Sequence, residues 1–526
     1  MSADSRFKIL GVAVHAIDKF AGLPLWKYSM SFAYLKAYPS QYAEYQAVSF
    51  ETRDFYQNES LQSIVSEVAA ARPRMVLFSV YVWNYLIYAE LARRIKLFDP
   101  SILIVLGGPE VAEDTEVILQ ENPAFDVLVT GEGEYVFYEL VHSWLADGSC
   151  ASVAGITHRQ AGQIIVNPPA DPLKLADINC IPSIFTDEFV AVERLTDSFA
   201  ALETQRGCNF SCGFCRYRKI GQGARFFELK RVFADLDFLK KAKIKHLYIM
   251  DPTFNNDKER AKTILRYIIE LDMNVEINAE MVPEFFDEEL LALALQAGIK
   301  NLEVGVQSIR KETLKIMQRP RNARKLEERI EGAALLHVGD QKFNVIPQII
   351  FGLPGDDIDA YGESFNFVYN LSVDEVAMYH LLILRDTQFY RDRDIHGFVF
   401  ERDPPHRVIS SKTWPKEAIL LAGKMSSAAV GTQYLLRQHI RQYCRQFNLT
   451  PAEFFVDRLK IAEFPDELAF AFPIYESRHA ALMTAVTERV GEVLLEANTD
   501  SSLENAVRQM RRLFKLREQL VMQRAA

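Results

Sequence analysis

Short apolar runs alternate with segments whose apolar positions recur at helical spacing through most of the first 385 residues. In the N-terminal part, strand-like runs at 7–14, 47–51, 75–82, 102–106 and 127–129 are interleaved with helix-like segments at 25–38, 60–71, 85–98, 112–120 and 134–145. This rhythm predicts a Rossmann-like, doubly wound parallel sheet with helices on both faces over residues 1–148. Residues 149–196 have a different texture. Short strands near 155–157 and 164–166, then prolines up to Pro182, predict a linker carrying a small hairpin.

The alternation resumes at residue 200, with strands at 200–204, 244–250, 275–279, 301–306 and 344–351 and further candidates at 375–378 and 380–384. Helix-like segments at 227–241, 257–270, 287–297, 310–317 and 324–337 lie between them. Repeated parallel units of this kind predict an α/β barrel, complete or partial, over 197–385. Beyond it, 385–405 is rich in charge and aromatics and reads as an ordered loop capping the barrel mouth. Helical spacing at 418–444 and 476–524 makes 386–526 a mostly helical accessory domain. Substrate choice is expected there, with Tyr379, His380, Arg385 and His406 as candidate contacts.

Composition narrows the class. The chain has 526 residues, 49% apolar and 25% charged, which suits a soluble protein of several domains. Its net charge of −10 leaves no Lys/Arg excess to neutralise phosphates, so a nucleic-acid partner is not expected. No apolar run is long enough for a transmembrane segment, and no signal-peptide pattern is recognisable. Six cysteines with three clustered do not make a disulfide framework, and a reducing, cytoplasmic setting follows.

Those three, Cys208, Cys212 and Cys215, stand at spacing Cys-x-x-x-Cys-x-x-Cys in a loop after a predicted strand. They can bind three corners of an iron–sulfur cluster and leave one iron open. A structural zinc site would need four ligands. No second pair exists, because Cys150, Cys180 and Cys444 are isolated and His246 lies in an apolar run. Zinc and a chance group of buried thiols remain the alternatives to the cluster.

The motif resembles the signature of the radical S-adenosylmethionine (SAM) superfamily. The resemblance implies a [4Fe-4S] cluster whose open iron binds SAM, reductive SAM cleavage to a 5'-deoxyadenosyl radical, and a six-stranded partial barrel with the cluster loop after its first strand. Phe214 stands where the family carries an aromatic residue near the adenine. By position, Asp251 and Thr253 match the segment that holds the SAM amino group, although the common Gly-Gly-Glu is replaced. Glu280, Glu303 and Gln307 at strand ends, and Gly352 in a Gly-Leu-Pro-Gly turn, are the other expected SAM contacts.

Upstream, three strands are followed by Ser79-Val80-Tyr81-Val82-Trp83-Asn84, Gly107-Gly108-Pro109-Glu110 and Gly131-Glu132-Gly133-Glu134. Each loop alone is weak evidence. In succession before the cysteines they resemble the N-terminal domain of cobalamin-binding radical SAM proteins, with Ser79, Tyr81, Gly107, Gly108, Gly131, Glu132 and Gly133 as the expected cobalamin contacts. The Asp-x-His-x-x-Gly signature is absent, and His15-Ala16-Ile17-Asp18 has the wrong order, so no histidine is expected on the lower face of the corrin. The competing reading is the same fold without cofactor. The family implies methyl transfer to an unactivated carbon of a small molecule or peptide, with an electron donor such as flavodoxin or ferredoxin. Cyclisation, rearrangement or oxidation, and a non-catalytic iron–sulfur or cobalamin carrier, are the alternatives.

Overall fold

The computed structural model describes residues 6–16, 27–171, 176–196, 198–217, 223–319, 322–471, 477–497 and 501–525. A seven-stranded sheet comes first, formed by β1 (Phe7–His15), β2 (Val48–Tyr56), β3 (Met75–Ser79), β4 (Leu103–Gly107), β5 (Val127–Val129), β6 (Ile156–Gln160) and β7 (Gln163–Val166). Their order is β2-β1-β3-β4-β5-β6-β7. The first five positions are parallel, and β6 and β7 extend the edge antiparallel. The hairpin expected between 149 and 196 is therefore a continuation of this sheet.

Strand alternation explains why both faces are covered. Leu10, Val12, Val76, Phe78, Ile104 and Leu106 pack on one face with Ile64 of α2 (Leu61–Ala71) and Leu91 of α3 (Tyr85–Phe98). Ile9, Met75, Leu77 and Val105 pack on the other with Phe32 of α1 (Met30–Ala37) and Leu140 of α5 (Gly133–Asp147). Helix α4 (Thr115–Glu121) follows β4. The helix expected at 25–38 is seen from Met30, and Leu25 lies outside the described residues. Because the strand order reverses between β1 and β3, a crevice opens at the carboxyl ends of the strands.

After α6 (Val192–Leu195), a second sheet of six parallel strands runs β17-β16-β13-β12-β11-β8. These are β8 (Phe199–Leu202), β11 (His246–Ile249), β12 (Glu276–Glu280), β13 (Ile299–Gln307), β16 (Asn344–Phe351) and β17 (Ala377–His380). Two small ribbons interrupt the sequence, β9 (Gln205–Arg206) with β10 (Arg225–Phe226), and β14 (His337–Val338) with β15 (Gln341–Lys342). The crossover helices are α7 (Leu229–Lys241), α8 (Lys258–Leu271), α9 (Glu288–Gln296), α10 (Lys311–Ile316), α11 (Ala323–Leu335) and α12 (Ile358–Asn370). Asp257, Asp287, Asn322 and Asp357 start α8, α9, α11 and α12, each side chain accepting from a backbone N–H in the first turn. Each such cap stabilises by about 1 kcal/mol.

The segment expected as a loop at 385–405 is instead α13 (Gln388–Arg391), α14 (Arg393–His396) and β18 (Val399–Phe400), the last paired with β19 (Val408–Ser410). Thr387 caps α13, and the aromatics Phe389 and Phe398 turn inward. Helix α15 (Lys416–Gln446) packs against β17 and α12, and α16 (Pro451–Glu453), α17 (Ser477–Ala497) and α18 (Ser501–Ala525) complete the helical end. Arg437 of α15 is buried and donates to the carbonyls of Val368, Tyr369, Leu371 and Val373, satisfying the open C-terminus of α12. Among the described residues, no helix is long and apolar enough to cross a membrane.

Candidate two-cofactor site

The carboxyl ends of β3, β4 and β5 face the start of the second sheet across an open cavity of about 1210 Å³ of empty space, part of it open to solvent. Ser79, Tyr81, Gly107, Gly108, Gly131, Glu132 and Gly133 all line it, so the structure brings together every residue that the loops nominated. The opposite wall is Glu203, Gln205, Arg206, Gly207, Tyr217, Met250 and Pro252. Gly207 immediately precedes Cys208. One cavity thus touches both the glycine loops and the root of the cysteine loop.

The glycine wall is shaped by backbone. Gly108 has φ +120°, and a Cβ there would stand 2.6 Å from the Val80 carbonyl oxygen. Gly131 has φ +79° with nothing within 4 Å of where its Cβ would be, so that position is open to a large flat ligand. No histidine lines the cavity among the described residues. His15 is committed elsewhere, with Nε2 2.7 Å from Asp54 Oδ1. The open glycine wall fits the flat face of a cobalamin.

Not every nominated side chain is free for a ligand. Glu132 is held by Arg225, at 2.7 Å, and lies 3.4 Å from Arg206. Arg206 also pairs with Glu134 at 2.7 Å and Glu203 at 3.1 Å, and lies over the Tyr34 ring. Arg206 and Arg225 face each other in the β9–β10 ribbon, which closes the cysteine loop at its base. Glu132 is therefore a tie between the two sheets as well as a lining residue. Sequence spacing alone gave no sign of these arginines.

The cysteine loop is pinned from both sides. Gly213 N–H donates to Met317 O at 3.1 Å, and its carbonyl accepts from Phe389 N–H at 2.9 Å. Cys208 and Cys212 are buried and Cys215 is half-buried. Cys208 Sγ is 3.8 Å from Thr253 Oγ1, and Arg319 Nη1 lies 3.3 Å from Cys212 Sγ. Burial pushes the Cys215 thiol up to about 12, and the neighbouring Cys212 and Cys208 sulfurs push the same way. Such mutual repulsion is relieved when the sulfurs ligate iron.

Around the barrel interior the nominated SAM residues divide. Glu280 ends β12, and burial together with Glu303 raises its carboxyl to about 7. Glu303 accepts from Gln348 Nε2 at 2.7 Å and Tyr248 OH at 3.3 Å, and burial raises it too. Gln307 has φ +69°, and its buried Oε1 has no partner among the described residues. Phe214 is half-buried against the main core. Two nominations meet a different surrounding. Asp251 is buried and fully engaged, accepting from Thr204 N–H (2.7 Å), Thr204 Oγ1 (2.5 Å) and Gln205 N–H (3.1 Å), so its side chain anchors the chain entering the cysteine loop. The side that a Cβ on Gly352 would occupy faces Leu381 and, from the C-terminal region, Val408 and Ile419.

Of the rim residues, Arg385 pairs with Asp114 at 3.0 Å and lies 3.6 Å from Glu110, and the buried His406 sits with Nε2 2.6 Å from Oε1 of the buried Glu110. These two bind the first sheet's loops. His380 stacks on Phe351, and burial lowers it to about 4.

A glycine-walled cavity at the strand ends of one parallel sheet opens at the root of a three-thiol loop in a second, so the candidate sites for two large cofactors lie side by side. Comparison with known proteins gives the family. The B12 binding domain model matches residues 33–141 and the Radical SAM superfamily model matches residues 202–368. The chain belongs to the cobalamin-binding radical SAM proteins, whose cofactors are a [4Fe-4S] cluster, SAM and cobalamin. The cobalamin-dependent radical SAM methyltransferase TokK of Streptomyces tokunonensis is 32% identical over 224 residues, 40% of this chain and 32% of that one. The 2-(S-pantetheinyl)-carbapenam-3-carboxylate methyltransferase of Streptantibioticus cattleyicolor is 32% identical over 209 residues, 38% of this chain and 31% of that one. The chain spans about a third of the length of these two relatives. Among solved structures, the cobalamin-dependent SAM radical enzyme OxsB shares the fold with a TM-score of 0.65 at 15% identity, covering 98% of this chain and 84% of that one. The radical SAM methyltransferase TsrM of Kitasatospora setae gives 0.59 at 16% identity, covering 74% and 76%.

Proposed function

We propose that the protein is a cobalamin-dependent radical SAM enzyme that transfers a methyl group to an unactivated carbon of a small molecule or peptide. The observation that carries this reading is the single cavity lined both by the glycine loops and by Gly207 at the root of the cysteine loop. Two cofactors that share one cavity can act on one substrate. Cys208, Cys212 and Cys215 would hold the cluster, and the loops at Ser79–Tyr81, Gly107–Gly108 and Gly131–Gly133 would hold cobalamin. Glu280, Glu303, Gln307 and Thr253 would face SAM. When bound, the cluster and SAM supply a 5'-deoxyadenosyl radical for hydrogen abstraction, and cobalamin supplies the methyl group.

The chain's own residues bind, orient and seal. Asp251 fixes the strand end from which the cysteine loop departs. Met317 and Phe389 grip that loop at Gly213. The Arg206–Glu134 and Arg225–Glu132 pairs hold the two cofactor walls at a fixed separation. Proper alignment is where a protein contributes most when cofactors carry the chemistry. A low-potential one-electron donor such as flavodoxin or ferredoxin, in the reducing cytoplasm, would serve the cluster.

A second reading keeps the radical step without methyl transfer. The anaerobic magnesium-protoporphyrin IX monomethyl ester cyclase of Rubrivivax gelatinosus, 26% identical over 299 residues, favours it. Anaerobic reconstitution with iron, sulfide and cobalamin, followed by SAM and reductant, separates the readings. Formation of 5'-deoxyadenosine and S-adenosylhomocysteine with a product heavier by one methylene unit supports methylation. Loss of hydrogen from the product supports the second reading, and absence of both nucleosides with every substrate tried refutes catalysis.

A further inference from the structure

Two of the three cysteine sulfurs, those of Cys208 and Cys212, have unlike surroundings. Cys208 Sγ meets neutral groups, accepting from the Phe210 N–H at 3.5 Å and lying 3.8 Å from the Thr253 hydroxyl, which itself donates to the Pro252 carbonyl. Cys212 Sγ meets a cation, the Arg319 guanidinium, whose Nη1 is 3.3 Å away. That guanidinium is also held over the Phe210 ring, 5.1 Å from its centroid. Its backbone is fixed, with Arg319 N–H donating to Leu314 O at 2.8 Å. The same turn grips the cysteine loop, through the Met317 carbonyl that accepts from Gly213 N–H. Arg319 and Cys212 therefore move as one unit, and the planar side chain is presented to the sulfur in one orientation.

We infer that Arg319 tunes the reduction potential of the cluster through the Cys212 sulfur. The inference rests on the cluster assignment above. Reduction adds one electron, supplied by the low-potential donor, and so one negative charge to the cluster and its thiolates. A cation donating an N–H to a ligand sulfur stabilises the reduced state more than the oxidised state. The midpoint is thereby raised, which eases reduction. A low-dielectric surrounding strengthens the effect, because Cys212 is buried and the Arg319 Nε is shielded from water. Arg319 is a positioning and tuning residue, acting through Cys212.

The test uses the full chain, reconstituted anaerobically without SAM, as wild type, Arg319→Gln and Arg319→Lys. Iron and sulfide are assayed, and the cluster midpoint is read by redox titration followed by electron paramagnetic resonance. The expected result is a full iron complement with a more negative midpoint in Arg319→Gln and a smaller negative shift in Arg319→Lys. An unchanged midpoint in both overturns the inference; SAM is then titrated into the same samples, and weaker binding in the variants beside an unchanged midpoint assigns Arg319 to SAM instead. Should Arg319→Gln fail to hold iron, Arg319→Lys decides alone, a midpoint equal to wild type counting against. A wild-type protein that assembles no four-iron cluster refutes the cluster reading and the inference together, whereas an assembled cluster with an indifferent midpoint refutes only the inference.

Discussion

Arg225 grips Glu132 at two points, Nη2 to Oε1 at 2.7 Å and Nη1 to Oε2 at 2.9 Å, and so ties the ribbon beneath the cysteine loop to the glycine loop of the first sheet. Both side chains are only 15% exposed, so the pair is shielded from solvent. Glu132→Gln leaves Arg225 facing a neutral partner and weakens the network through Arg206. A loss of about 3 kcal/mol is expected, the usual scale for removing one member of a buried pair. Chemical unfolding of the apo chain checks this, and a midpoint equal to wild type would show that the tie adds nothing.

Substitution of Cys208, Cys212 or Cys215 by Ala should abolish the visible charge-transfer absorption of the reconstituted cluster while the far-ultraviolet circular dichroism stays native. Each removes one of three ligands, and the loop keeps its backbone grip at Gly213. Full iron content in any one variant would remove that cysteine from the ligand set.

Gly108→Ala and Gly131→Ala should separate folding from binding. An alanine at Gly108 collides with the Val80 carbonyl at 2.6 Å in a backbone conformation that side chains avoid, so a loss of roughly 2–4 kcal/mol is expected. An alanine at Gly131 meets nothing within 4 Å, and only the cost of its positive φ, about 1 kcal/mol, should appear. Its methyl group enters the cavity, however, and cobalamin affinity, read by spectral titration, should fall several-fold. Unaltered affinity in Gly131→Ala would move cobalamin away from that loop.

Asp251 predicts a pH dependence. Burial raises its carboxyl to about 7 in spite of three donors. Between about pH 4 and pH 7 the native state keeps a proton that the unfolded chain has released, so the unfolded state binds fewer protons and stability falls as pH rises through that window. The total is roughly 3–5 kcal/mol, present below pH 4 and lost above pH 7. Asp251→Asn can still accept from both backbone N–H groups and donate to Thr204, so it should remove this slope and be the more stable form at pH 8. Thermal unfolding of the apo chain from pH 4 to pH 8 measures both, and parallel profiles would refute the assignment.

The segment 385–407 is tied to the first sheet's loops through the buried Glu110, which meets both His406 and Arg385. His406→Ala takes from Glu110, 2% exposed, its partner at 2.6 Å and leaves it only Arg385, 3.6 Å away. An expected loss of about 2–4 kcal/mol should appear as a lower melting temperature and faster proteolysis within 385–407. Cleavage kinetics like those of wild type would mean that Arg385, through Asp114 and Glu110, holds this segment by itself.

Much of the architecture is legible in the sequence because it is written locally. The strand at 127–129 and the helix at 85–98 are found at those residues, and the helices expected from 257 and 287 begin one residue later, where Asp257 and Asp287 cap them. The hairpin at 156–166 was visible as two strands, but its attachment to β5 was not, because edge pairing is decided by which neighbour has free backbone groups. The segment at 385–405 reads as loop because its helices are a single turn each, too short for a period to emerge.

By itself the sequence determined which chemistry is present and on which element it sits: three thiols in one loop, glycines at three strand ends, and two parallel sheets in series. These follow from spacing, since period and turn chemistry act over a few residues. Only the tertiary structure decided what each charged group does. Asp251 became an anchor, Glu132 a tie to Arg225, and Arg319 the donor to Cys212, a residue 107 positions away. Such partnerships depend on how two sheets and a helical region pack, and a buried charge takes whichever opposite charge or donor that packing brings within reach.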